Sequence, residues 1–157
     1  MSARMKGGVN LAKYLADIKQ NAASARRVDV GFFRDATYPD GTSVATVAAV
    51  QEFGNDRVPA RSFMRTTIAE RSRQWPGAAA AILRATGCNA RQALETMGQV
   101  AAQEMQSKIG EITEPPLAAS TVKQREKKGS ERPDKPLIDT ATMINALRYQ
   151  VDSGDDS

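Results

Sequence analysis

The sequence predicts a single domain that mixes several helices with a few strands. Two runs carry strand character, "VDVGFF" at residues 28–33 and "LRYQV" at 147–151, both rich in β-branched and aromatic residues. The stretches before and between them carry helical periodicity broken by proline, glycine and charge. The 157 residues, 41% hydrophobic and 25% charged, suffice for one core. Residues 1–157 therefore read as one unit: an N-terminal helix within 1–27, a mixed core over 28–151 with a basic loop at 123–136, and a flexible acidic tail at 152–157.

The first helix, "VNLAKYLADIKQNAASARR", sets Leu11, Leu15 and Ile18 on one face and predicts packing of that face on a sheet. After the first strand, "DATYPDGT" is a turn, since proline presets φ and glycine accepts positive φ. Thr42 or Ser43 then caps "SVATVAAVQEFG", where Val44, Val47, Ala48 and Gln51 share a stripe and Gly54 suits a left-handed C-terminal cap. Pro59 ends helical tendency at Val58, and Ser62 is positioned to cap a helix through "FMRTTIAERSRQW" with Phe63, Met64 and Ile68 facing the core. Pro76 forces a break or restart near Trp75. Asn89 caps the strongest amphipathic run, with Leu94, Met97, Ala101 and Met105 on one stripe, and Pro115-Pro116 ends it. A short helical turn can follow Ser120, but six bases, three acids, Gly129, Pro133 and Pro136 over residues 123–136 predict a mobile basic loop. Asp139 or Thr140 caps a brief helix carrying Met143, Ile144 and Leu147 before the last strand.

Composition disfavours most chemistry. Histidine is absent and Cys88 is the one cysteine, so the usual zinc, haem and triad parts are missing, a disulfide within the chain is excluded and a reduced, cytoplasmic setting is the default. The glycines form no phosphate-cradling pattern. Asp35 and Asp40 lack the alternation of a calcium loop. No apolar stretch approaches the roughly 20 residues that cross a bilayer. No enzyme activity, cofactor or metal is expected, and no membrane partner. The net charge of +4 weakly favours an anionic partner. Six arginines and one acid lie between Arg57 and Arg84, a concentration that a helix–turn–helix connection does not need.

The order of the pieces is more specific than any of them. A strand "VDVGFF", then "YPDGTSVATVAAVQEFG", "VPARSFMRTTI", "PPLAASTVKQREKKG" and "KPLIDTATMINALRYQV" resembles the tail-completion, or neck, proteins of long-tailed bacteriophages over most of residues 28–151. The most specific stretches are A-x-x-Q-E-F-G at 48–54, P-A-R-x-F-M-R at 59–65 and P-L-I-D-T at 136–140. Members commonly carry glycine after that Asp-Thr, where this chain has Ala141. The resemblance implies an α+β subunit, a small antiparallel sheet packed against several helices, whose extended loops serve assembly into a homo-oligomeric ring. Such a ring joins the tail to the head connector around the DNA channel in the virion neck, after assembly in the host cytoplasm.

Its expected partners are other copies of itself, connector or portal-side proteins, and the tail terminator or tube. A tail-terminator ring is the alternative within this class, and a nonspecific nucleic-acid-binding module the alternative outside it, since the basic residues would contact phosphates without reading sequence. On this reading Arg57, Arg61 and Arg65 form an interaction edge, with Tyr38 and Asp40 of the turn as a second contact. Lys123, Arg125, Lys127 and Lys128 form a basic arm toward a partner or the DNA. Pairing of the arginines with Glu52 or Asp56 is the competing account.

Overall fold

The computed structural model describes residues 8–152. Its elements run α1 (Gly8–Ala22), β1 (Arg27–Phe32), α2 (Val44–Phe53), α3 (Met64–Arg71), α4 (Trp75–Ala85), α5 (Ala90–Glu111), α6 (Ala119–Lys127), α7 (Thr142–Ala146) and β2 (Leu147–Asp152). The fold is α+β: β1 and β2 pair antiparallel as a two-stranded sheet, with Val28 opposite Val151 and Phe32 opposite Leu147. An isolated two-stranded ribbon is marginal in water, so the sheet requires a covering helix. That helix is α5, 22 residues long and begun by Asn89, whose side chain accepts from the Gln92 amide at 3.0 Å.

Of the α5 stripe read from sequence, Met97, Ala101 and Met105 are buried, joined by Ala93, Ala102 and Ile109, while Leu94 at its start is half-buried. Gly98 sets how close the sheet can come. A Cβ there would lie 2.7 Å from the Tyr149 ring and 2.7 Å from a Val28 methyl, so only glycine permits this crossing. Two hydrophobic clusters result. One gathers Val44, Ala48, Phe63, Ile109, Leu137 and Met143; the other gathers Ala102, Met105 and Leu147. Phe32 and Met64 pack against both. Trp75 adds to the second, its indole donating to Glu104 Oε2 at 2.8 Å while Pro76 opens α4.

Several expectations change. Helix α1 leaves Leu11 57% and Leu15 55% exposed, because α5 occupies the inner face of the sheet and α1 reaches the body only near its end, where Asn21 donates to the Gly87 carbonyl and Ser24 accepts from the Arg91 amide. The helix ends at Ala22, short of residue 27, and residues 1–7 lie outside those described. In α3 the buried position is Thr67, whose hydroxyl donates to the Phe63 carbonyl, while Ile68 is 44% exposed. The basic loop is partly helix: α6 takes in Lys123, Arg125 and Lys127. Of the acidic tail, Asp152 belongs to β2 and pairs with Arg27 at 3.5 Å; residues 153–157 lie outside those described.

Neither Asp139 nor Thr140 caps α7. Ala141 fills that place in the left-handed region, with φ 58°. A β-carbon in that region meets a carbonyl oxygen at a cost of about 1–2 kcal/mol, and glycine avoids it. Ala141→Gly is therefore expected to raise stability by about 1 kcal/mol in urea unfolding; an unchanged or lowered midpoint would contradict the strain.

Candidate functional site

The connection between α2 and α3, with the first turn of α3, holds the arginines singled out above, and its geometry begins with Glu52 near the end of α2. Although charged, Glu52 is 3% exposed. Its carboxylate accepts from the amides of Phe63 and Met64 at 2.9 Å each and of Arg65 at 3.0 Å, which are donors that the first turn of α3 leaves without partners. The cap of α3 thus comes from the previous helix. Ser62, the expected cap, instead donates to the Glu52 carbonyl at 3.0 Å. Burial pushes the Glu52 carboxyl up, but the amides of Arg65 and Met64, the Arg65 guanidinium and the Phe63 amide outweigh it and hold it below the usual carboxylate range.

The three arginines part company here. Arg65 closes on Glu52, with Nε 3.0 Å from Oε1 and Nη2 donating to the Glu52 carbonyl and Ser62 Oγ, and lies over the Phe53 ring at 4.7 Å. Arg61 does not lie on an edge at all, being 4% exposed. Its Nε donates to the Pro115 carbonyl at 2.7 Å, Nη2 to the Pro116 carbonyl at 3.0 Å and Nη1 to Gln51 Oε1 at 3.2 Å. Proline offers a carbonyl without an amide, so this loop is rich in unspent acceptors, and the fork of Arg61 fits them. Burial, and then the positive charge of Arg125, lower the Arg61 pKa. Arg57 is exposed, and among the described residues its side chain has no partner. Gly54 permits the sharp exit from α2, since with φ 74° a Cβ would meet the Ala60 nitrogen at 2.7 Å.

Beside this clasp lies a groove of about 490 Å³, lined by Tyr38, Asp40 and Thr42 of the turn, Val47 and Gln51 of α2, Arg125 and Lys128 around the end of α6, Pro136 and Leu137, and Asp139 through Met143. The turn is held by paired backbone bonds between Tyr38 and its neighbours, the Tyr38 amide donating to Thr42 and the Gly41 amide to Tyr38. Asp40 Oδ1 accepts from the Thr42 amide at 2.9 Å, which lowers the Asp40 pKa. Burial, and then the charge of Asp139, raise the pKa of Tyr38. Arg125 is not a free arm residue: its guanidinium donates to the carbonyls of Lys135 and Ile138 and lies 3.7 Å from Asp139, fixing the 135–139 segment to α6. Lys123, Lys127 and Lys128 are exposed, with no side-chain partner among the described residues.

The structure thus brings Tyr38, Asp40, Arg125 and Lys128 to one groove, leaves Lys123, Lys127 and Arg57 outside it, and puts Arg61 and Arg65 behind it. Gln51, Asp139 and Thr140 line the groove and were not singled out as contacts. Their signal is membership in two of the three stretches that carry the resemblance, A-x-x-Q-E-F-G and P-L-I-D-T. Among the described residues no group of three His, Cys, Asp or Glu is placed to hold a metal ion.

Arg61→Ala is expected to cost about 3 kcal/mol, as three charge-assisted bonds and a buried fork are lost, whereas Arg57→Ala should stay within about 0.5 kcal/mol; equal effects in urea unfolding would contradict the assignment. Because the Glu52 pKa is lowered on folding, its contribution is complete above the ordinary glutamate range and is lost as pH falls through the lowered value. Glu52→Gln should therefore be less stable than the parent at pH 7 by about 2–3 kcal/mol, with the gap narrowing below about pH 5. A gap independent of pH would exclude the carboxylate as its source.

No protein-family model, curated protein or solved structure matches this chain.

Proposed function

We propose that this chain is a structural subunit of a bacteriophage neck, a tail-completion protein that assembles as a ring between the tail and the head connector. One observation carries the reading. The separated stretches on which the resemblance rests meet in space: Gln51 from the first motif, Pro136, Leu137, Asp139 and Thr140 from P-L-I-D-T and the "YPDGT" turn line one groove. Arg61 and Arg65 of the P-A-R-x-F-M-R motif, with Glu52, fix the wall behind it. The left-handed backbone at Ala141, where members of the resembled family commonly carry glycine, adds to it.

On this reading the motif residues have two duties. Arg61, Glu52 and Arg65 stiffen the subunit, and the groove with Tyr38, Asp40, Lys128 and Thr140 receives a segment of a neighbour or of the connector. The floor, with Val47, Leu137 and Met143, supplies apolar area, and the charged rim supplies orientation. The work is geometric and requires no chemical step.

The test is assembly. Lys128→Glu combined with Thr140→Arg alters two exposed groove residues, so the purified monomer should keep its melting temperature while the joining of heads to tails falls at least tenfold by particle counts in electron micrographs. Normal joining, or a chain that stays monomeric and never enters either connector or tail, would overturn the proposal.

A further inference from the structure

We infer that the sheet is built to be extended by a second copy of this chain, the outer edge of β1 in one copy pairing antiparallel with the outer edge of β2 in the next. In a two-stranded ladder each strand spends about half of its backbone groups on its partner, and the rest point outward. Among the described residues, the backbone groups of 27–32 and 147–151 make no hydrogen bond to a third backbone segment; Leu147 alone has a side-chain partner, its carbonyl accepting from Gln106 Nε2 at 3.2 Å.

Chains that keep an edge unpaired protect it with proline, lysine, a bulge or a charge pointing inward. None of these occurs along the ladder. The two strands, RVDVGF and LRYQVD, hold no proline or lysine, and their register runs unbroken from Arg27 opposite Asp152 to Phe32 opposite Leu147. Their charges at Arg27, Asp29 and Arg148 lie on the exposed face, with side chains 65%, 52% and 48% accessible.

The occupant follows from complementarity that the chain already displays within itself. β1 and β2 fit each other with apolar residues opposite apolar ones, Val28 to Val151 and Val30 to Tyr149, and with Arg27 opposite Asp152. Repeated between copies, the same register continues the apolar layer on the α5 side and alternates Arg27 with Asp152 on the other. A β1-to-β2 contact is heterologous, so it propagates from copy to copy, which is the kind of contact that a closed ring requires. The inference thereby rests on the ring reading above and names the contact that makes it.

Single-cysteine chains test it. In a Cys88→Ser background, Asp29→Cys and Gln150→Cys are made in separate chains, mixed at high concentration and oxidised; positions 29 and 150 face each other in the β1–β2 register, and each chain has one thiol, so any disulfide joins two copies. The mixed Asp29–Gln150 species is expected to exceed both like-with-like species at least fivefold on non-reducing gels. Like-with-like species in equal amount, or no cross-link, overturn the inference. Native mass spectrometry of the parent chain separates the two claims: rings without the mixed disulfide discard the strand contact alone, and persistent monomers, with or without connector, discard both.

Discussion

A buried carboxylate holds this fold in shape. Glu52, at the end of one helix, supplies the acceptors that the start of the next helix lacks, so α2 and α3 are locked end to start across a ten-residue connection. The arrangement fixes Phe63 in the first hydrophobic cluster and Met64 against both. Everything around it is shaped by the same demand. Gly54 allows the exit from α2, Ser62 and Arg65 bond back to Glu52, and the Arg61 amide donates to the Gln51 carbonyl at 2.6 Å. A carboxylate this buried is tolerated because its oxygens meet three amides and a guanidinium.

Much of the architecture could be read from the residues. Both strands, the Asn89 cap, the α5 stripe and the turn at "YPDGT" are decided within a few residues, where periodicity and turn chemistry are strong. What could not be read depends on partners far along the chain. Ser62 has the right side chain for a cap, yet Glu52 wins because an ionised acceptor from another helix satisfies three donors at once. Arg61 looks like a surface charge until residues 115 and 116 arrive with two carbonyls more than fifty positions later. Arg125 likewise looks like part of a free basic arm, and its carbonyl partners, Lys135 and Ile138, lie beyond Gly129 and Pro133, in the segment whose composition suggests mobility.

The arginine block therefore has no single meaning. Its members are sorted by depth: Arg61 holds a proline loop, Arg65 completes the Glu52 cluster from the surface, and Arg57 is solvated. Among the described residues Lys123, Lys127 and Lys128 are, like Arg57, without a side-chain partner, and of these Lys128 lines the groove. For a protein whose proposed work is to present surfaces, this division separates the charge that sets its shape from the charge open to a partner.

Phe32 and Met64 touch both hydrophobic clusters, and this has a consequence for how the chain opens. Had the clusters been separate, the region around α2, α7 and Leu137 could loosen while α5 and the sheet stayed closed. Shared side chains couple the two openings, so backbone amides in α2 and in α5 should exchange their hydrogens with solvent through the same cooperative event. Helix α1 stands outside this unit, with Leu11, Tyr14 and Leu15 in solvent and a hydrogen bond to the body from Asn21 near its end, and its amides should exchange independently and sooner.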